Sequence, residues 1–400
     1  MSAPQRVAAA MIGVLALAAL AAGCGTKPAA STTVTTAPPA PPPLATSFAG
    51  PAGAGWAIVD MGGSAAQEDN FWQMFYRQAS TWRLATPAGV ADNGGLVVTG
   101  TGTGTGTGAG SLLTGFVPSQ DLTFSPVAAS TDGGASWSAA SPVNPGLASV
   151  PDALAAGPDD RLIALTSGGA ELGQRLGATW THLASTRSLA ATRAAQACQV
   201  TSLTAAAFSA AGAAMLASSC GRPGVAGIFA DTGGTWHAAG PRLPASLAKQ
   251  DIDVLRLAPA GPGLVALLRA GTSGSITAAW YDGGRWTLSP PVSGGTVRST
   301  AVGPDGSIGI ILNGSHGVTL AGPGGSWHPL PTLPKWTATL ALGPSGRVDA
   351  IAAHGATFSD YRLAAAAAAS SAAATSAAAT SAEWSLVQTI KVNIPYGSSS

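Results

Sequence analysis

The sequence predicts an all-β fold, a seven-bladed β-propeller of four-stranded blades closed by the C-terminal strand, with six or eight blades as the alternatives. Three observations predict it. Seven of the eleven tryptophans, Trp82, Trp137, Trp180, Trp236, Trp286, Trp327 and Trp384, recur after a small or polar turn. Their separations of 55, 43, 56, 50, 41 and 57 residues surround the period of about 40–50 residues of a four-stranded propeller blade. With 53 Gly and 29 Pro, 46% hydrophobic residues and only 9% charged ones, the chain favours short strands and turns over long helices. A second turn also recurs between short apolar runs, as Gly157-Pro158-Asp159-Asp160, Gly303-Pro304-Asp305-Gly306 and Gly343-Pro344-Ser345-Gly346. It reads as the hairpin joining the first two strands of a blade.

The N-terminal elements come first. Residues 1–23 hold Arg6, an apolar run from Val7 to Leu20, and then Ala21, Ala22 and Gly23 before Cys24. This is the layout of a secretion signal, and the run is shorter than the roughly 20 residues that span a bilayer. The segment Leu20-Ala21-Ala22-Gly23-Cys24 resembles the bacterial lipobox, whose cysteine is lipidated and becomes the mature N-terminus; Ala21 departs from the Leu usual at its place. The resemblance implies a lipid anchor at Cys24 and a place on the outer face of the cytoplasmic membrane. Residues 24–45, with Ala-Pro-Pro-Ala-Pro-Pro-Pro at 37–43, read as an extended spacer with little apolar bulk to bury.

The propeller is expected over 46–396, followed by a short tail, 397–400. The first unit offers three strands, Gly55 to Met61, Phe71 to Gln78 and Trp82 to Thr86, so one strand is missing. After Trp384 the run Val387 to Pro395 is long enough for two strands. Val392–Tyr396 is therefore expected to supply the innermost strand of the first blade, which would fix the ring against opening. The Gly-Thr repeat (100–110) and the Ala/Ser/Thr stretch (364–382) read as insertions.

Two turns are sharply defined: Ser130-Thr131-Asp132-Gly133-Gly134-Ala135-Ser136-Trp137 and Ala230-Asp231-Thr232-Gly233-Gly234-Thr235-Trp236. Both place Gly two residues after Asp (Gly134, Gly233) and Trp five after it (Trp137, Trp236). They resemble the Asp-box of BNR-repeat, sialidase-like propellers, in which this turn joins a blade's third and fourth strands. Asp can cap the turn's backbone N–H groups, Gly supplies positive φ and Trp packs between blades. The resemblance implies a structural role for Asp132 and Asp231. Weaker copies stand at Asp282–Trp286 and Gly324–Trp327.

Cys198 and Cys220 are separated by two expected strands, Ser202 to Ser209 and Ala213 to Ser219. In an exported protein such a pair reads as a disulfide. The sialidase resemblance would imply an arginine triad, a Tyr–Glu couple and an Arg-Ile-Pro motif. No Arg-Ile-Pro occurs; Phe116-Val117-Pro118 lacks the arginine, and none of Tyr76, Tyr281, Tyr361 and Tyr396 matches the nucleophile. Glu68, Glu171 and Glu383 fall in different repeats, so a paired-carboxylate hydrolase cannot be argued. The five histidines show no zinc spacing, and no phosphate loop or Gly-x-Ser-x-Gly elbow appears; no catalytic residue, cofactor or metal is assigned. A net charge of +1 without a dense Lys/Arg run argues against nucleic acid. The expectation is a monomeric, membrane-anchored, non-catalytic scaffold that binds protein, peptide or glycan, as the family's photosystem II assembly factor suggests; the alternative is a sialidase-like or other glycan-active enzyme.

Overall fold

The computed structural model describes residues 45–49, 55–62, 70–78, 80–87, 96–100, 112–116, 127–139, 153–174, 179–260, 263–271, 274–293, 296–312, 316–343, 346–364 and 383–393. All lie in one compact unit, Pro43–Ser400. The signal segment, Cys24, most of the spacer, the insertions from 101 and from 365 onward, and the tail lie outside the described residues.

Among the described residues the chain is all-β apart from short helical turns, and its strands follow one another as antiparallel four-stranded meanders. The first comprises Ala45–Ala49, Gly55–Gly62, Asn70–Gln78 and Thr81–Leu84; the second Leu96–Gly100, Leu112–Phe116, Val127–Ser130 and Ser138–Ala139. The third is Ala153–Ala156, Leu162–Thr166, Gly169–Gln174 and Thr179–Ala184, and the fourth Val200–Phe208, Ala214–Cys220, Gly227–Thr232 and Thr235–Ala238. The fifth is Ile252–Ala260, Gly263–Ala270, Ser275–Tyr281 and Trp286–Leu288; the sixth Ser299–Val302, Ile308–Ile311, Gly317–Leu320 and Trp327–Pro329. Thr337–Leu342, Val348–His354, Thr357–Leu363 and Trp384–Lys391 form the last. The arrangement fits a β-propeller.

The tryptophan spacing now has a physical cause. Each recurring Trp begins or just precedes the fourth strand of its meander, and its ring sits in the apolar cluster shared with the preceding meander. Trp137 packs with Ile58 and Met74, Trp180 with Val127, Trp286 with Met215 and Ile228, and Trp327 with Val265 and Trp280. Trp236 and Trp384 repeat the pattern, and Trp82 of the first meander packs on Ile351 and Phe358 of the last. Several indoles add a latch. Trp137, Trp286 and Trp327 donate Nε1–H to the carbonyls of Ala85, Ala239 and Pro290, just past the preceding fourth strand, at 2.9, 2.6 and 2.9 Å. Burial of each such side chain is worth roughly 2–3 kcal/mol, so the repeat marks the places where sheets are held face to face.

The closing strand differs from the expectation. The innermost strand of the first meander is Ala45–Ala49, antiparallel to Gly55–Gly62 and also parallel to Ser299–Val302 of the sixth. The place expected for Val392–Tyr396 is thus taken by Ala45–Ala49, and 394–396 lie outside the described residues. Trp384–Lys391 is spent as a single outermost strand against Thr357–Leu363, and Val392 donates its N–H to Ala356 O and buries its side chain with Phe75 and Phe358. The first and last meanders instead meet face to face through side chains. Phe75 stacks on Phe358 at 3.9 Å, and the Gln388 amide both donates to Trp82 O and accepts from Trp82 N–H at 2.9 and 2.8 Å.

The same seam holds a buried charge cluster. Asp349, fully buried, accepts from Arg77 at 2.8 Å, Arg347 at 2.6 Å and Arg362 at 3.1 Å. Arg77 is equally buried, and burial pushes its guanidinium pKa down against the opposing pull of Asp349. Asp360 Oδ2 accepts from Trp82 Nε1–H at 3.2 Å, while its Oδ1 is buried without a hydrogen bond. Burial, reinforced by the Asp349 charge, raises the Asp360 carboxyl to about 6.

Candidate functional site: the rim where the innermost strands begin

A four-stranded antiparallel meander has two rims. On one, each fourth strand hands over to the next innermost strand and second strands turn into third. The other carries the first-to-second and third-to-fourth hairpins. The Gly-Pro turns at 157–160 and 303–306 and the Asp132, Asp231 and Asp282 turns all fall on the second rim. Ala45 pairs beside Ser299 in parallel register, so the N-terminal chain enters on the first rim.

Of the site residues read from the sequence, the two Asp-box sets occupy the second rim, where Asp132 holds its turn. Asp132 Oδ1 accepts from the N–H groups of Ala135 and Ser136, both at 2.9 Å, and from Ser130 Oγ at 2.7 Å; its Oδ2 accepts from Ser136 Oγ at 2.6 Å. These bonds, the Ser136 hydroxyl first, hold its carboxyl well below the usual range. Gly133 and Gly134 have φ of 69° and 83°, and a Cβ on Gly134 would stand 2.7 Å from Ala85 Cβ. Asp231 behaves otherwise: it lies within the strand opposite Trp236, the two-residue turn Gly233-Gly234 closes on backbone alone, and its Oδ1 is buried without a hydrogen bond. The difference begins two residues before each aspartate, where Ser130 Oγ donates to Asp132 and accepts from Gly134 N–H, but where the fourth meander has buried Phe229. Asp282 caps Gly284 and Arg285 N–H, the latter at 2.8 Å.

The first rim carries the chemistry that the sequence reading passed over. Between the third and fourth meanders the chain makes a short helix, Thr186–Ala190, started by a reciprocal Ser185/Ser188 capping box, and a 3-10 turn, Arg193–Ala195. Leu189 and Ala195 bury beneath it against Val200, Phe229 and the half-buried Trp236. A disulfide joins Cys198 to Cys220, with Cα atoms 4.8 Å apart. Beside it Gly221 N–H donates to Gln199 O and Arg222 N–H to Cys198 O. The Arg222 turn is then tied onward, because Gly224 N–H donates to Gln250 O at 2.7 Å, so close that a Cβ on Gly224 would meet Ala248 O at 2.3 Å. Three segments, 185–199, 221–226 and 239–251, thus form one cross-braced platform. It exposes Arg187, Arg193, Arg222, Arg242 and Lys249, with Asp251 the one acid in those segments.

A second feature on this rim is aromatic. Trp336, in the connection from the sixth to the seventh meander, has φ of 65° and is 61% exposed. Its ring stacks on His354 at 4.0 Å and 8°, and its carbonyl accepts from Ala353 N–H at 3.0 Å. Thr337 N–H and Oγ1–H both donate to Pro334 O. A bulky residue held in the left-handed region costs of order 1–3 kcal/mol, so the fold presents this ring at the expense of local strain. Gly355 O, in the same turn as His354, accepts from Gly62 N–H of the first meander. The exposed indole face can take an apolar ring face, a proline or a cation.

Glu171 lies buried in a strand and meets His182 Nδ1 at 3.0 Å. Arg256, on the innermost strand of the fifth meander, donates to Thr300 O and Oγ1 at 2.8 and 2.9 Å; burial pushes its guanidinium down to about 10. Among the described residues no group of three or more His, Cys, Asp or Glu is placed to hold a metal.

No family model matches the chain, and no curated protein matches it. Solved structures do. A Lactobacillus plantarum protein shares 12% identity, with 84% of this chain and 96% of that one covered and a TM-score of 0.49. YCF48 from Cyanidioschyzon merolae shares 15%, covering 78% and 94%, with a TM-score of 0.46. The β-propeller domain of Cps50 (Swd1) from Myceliophteria thermophila shares 12%, covering 76% and 90%, also with a TM-score of 0.46. Likenesses this distant say nothing about what the chain binds.

Proposed function

We propose that the chain is an exported lipoprotein, anchored through Cys24 to the outer face of the cytoplasmic membrane, whose seven-bladed, Asp-box-type propeller is a non-catalytic scaffold for binding or assembly in the cell envelope. The observation that carries the binding role is the first rim, where a strained, exposed Trp336 and a cross-braced set of cations are presented on the side through which the N-terminal chain enters. Lipidation and the spacer remain readings of the sequence, and they agree with that placement because the anchor and the binding rim then share one side. The blade count rests on seven tryptophans, each packed on the preceding meander, with Trp82 of the first packed on the last.

Two experiments test this. Metabolic labelling with a palmitate analogue should mark the wild-type chain and not Cys24→Ser. Pull-down from detergent-solubilised envelope, with a glycan array on the soluble domain in parallel, should return a reproducible partner that Trp336→Ala loses. Glycan binding followed by turnover would overturn the scaffold reading in favour of a glycan-active enzyme.

A further inference from the structure

Among the described residues the five cations of the disulfide-braced platform have no ion-pair partner. The ion pairs found in the structure use Arg77, His182, Arg269, Arg347 and Arg362; Asp251 is the one acid within the three segments, and Asp253, two residues on, pairs with Arg269 at 2.7 Å. Like charges gathered on one surface repel one another, and a chain with only 9% charged residues has spent five of its 19 basic ones here. The helix–disulfide–glycine bracing fixes their backbone, so less ordering is needed on contact than loose loops would require. Arg298 and Lys335 are further exposed cations on this rim, in the connections to the sixth and seventh meanders.

From this geometry we propose that Arg187, Arg193, Arg222, Arg242 and Lys249 form a docking surface for the anionic lipid headgroups of the membrane to which the chain is tethered. The proposal rests on the anchored-scaffold reading for its orientation: Ala45 enters on the same rim, so a tether drawn toward a bilayer brings this rim toward it. Cations near an anionic bilayer act through its surface potential, each contributing about a fivefold gain in partitioning at low salt, and the effect fades within a Debye length of roughly 10 Å. The cationic sector would therefore tilt the domain onto its third-to-fifth meanders and leave Trp336, in the connection to the seventh, free for a partner.

The test uses the chain from residue 25 onward, which lacks the lipid and keeps the whole compact unit, with vesicles of phosphatidylcholine alone or mixed equally with phosphatidylglycerol. The expected result is sedimentation with the mixed vesicles only, weakened by salt, and reduced about a hundredfold by Arg193→Gln/Arg222→Gln/Lys249→Gln. Arg285→Gln, an exposed cation on the opposite rim, should change nothing. These side chains are solvent-exposed, and matching circular dichroism will confirm that each variant folds. Equal binding to both vesicles, no loss in the triple variant, or binding to soluble polyphosphate without preference for vesicles would overturn the proposal. Palmitate labelling and partner capture by Trp336 are read separately, so failure here leaves the scaffold reading standing.

Discussion

Asp349→Asn is the substitution that most sharply probes how the ring is held. It leaves volume nearly unchanged but removes the negative charge on which Arg77, Arg347 and Arg362 converge at 2.8, 2.6 and 3.1 Å. Arg347 and Arg362 are 25% and 34% exposed and can turn toward water, whereas Arg77 is 1% exposed and cannot. The cost is therefore that of one buried guanidinium losing its carboxylate, about 3–5 kcal/mol, a large share of a domain stability of about 5–15 kcal/mol. Arg77→Met should cost less, because Asp349 keeps Arg347 at 2.6 Å and Arg362 at 3.1 Å. The double variant Arg77→Met/Asp349→Leu, which removes both buried charges and leaves apolar groups beside Phe75 and Phe358, should cost clearly less than the sum, because a buried pair replaced by packed apolar groups is often near neutral. Urea unfolding at pH 7 measures all three. Single variants within about 0.5 kcal/mol of wild type, or strictly additive effects, would refute the claim that this pair is a coupled element of the seam.

Three further outcomes follow from the same geometry. Folding raises the Asp360 carboxyl from 3.8 to about 6, so the native chain holds that proton more tightly than the unfolded one and stability falls as pH rises between those values, by up to about 3 kcal/mol. Asp360→Asn, which keeps an oxygen for Trp82 Nε1–H, should flatten that slope and gain stability at pH 8 relative to pH 5; an unchanged slope in urea titrations across this window would contradict it. Cys198→Ser/Cys220→Ser should lower stability by roughly 2–4 kcal/mol and expose the 185–199 connection to limited proteolysis ahead of global unfolding, an outcome that intact-chain protection under protease would exclude. Gly224→Ala must fit a Cβ 2.3 Å from Ala248 O at φ of 75° and should drop the melting temperature by several degrees for a cost of about 1–3 kcal/mol, seen by calorimetry; an unshifted melt would mean the two connections are not braced there.

What could be read from the sequence was what repeats. The tryptophans are legible because each bulky ring does the same job on the preceding meander, and the Gly-Pro turns because positive φ and fixed φ are written in residue type. The innermost first strand was hidden for the opposite reason. Ala45-Thr46-Ser47-Phe48-Ala49 is short, has one bulky side chain and abuts a proline-rich spacer, while Val387 to Ile394 carries a far stronger β pattern and drew the missing strand to itself. Asp231 was misjudged as the twin of Asp132 because the difference lies in Phe229 against Ser130, outside the motif proper. The seam cluster and the cationic platform could not have been found by spacing: Arg77 and Asp349 are 272 residues apart, and the five cations lie in three connections that only the disulfide and the Gly224 contact bring together.

The proposed orientation requires the N-terminal segment to be the innermost strand of the first meander, so that under the anchored reading the tether leaves from the first rim. Paired cysteines decide it. In the chain from residue 25 onward, Ser47→Cys/Ala57→Cys joins residues that are register partners, and mild oxidation followed by proteolysis and mass spectrometry should recover the 47–57 cross-link in high yield. The companion Ile394→Cys/Ala57→Cys should give none. Efficient cross-linking of 394 to 57, with none from 47, would put the C-terminal strand in that place and contradict the account.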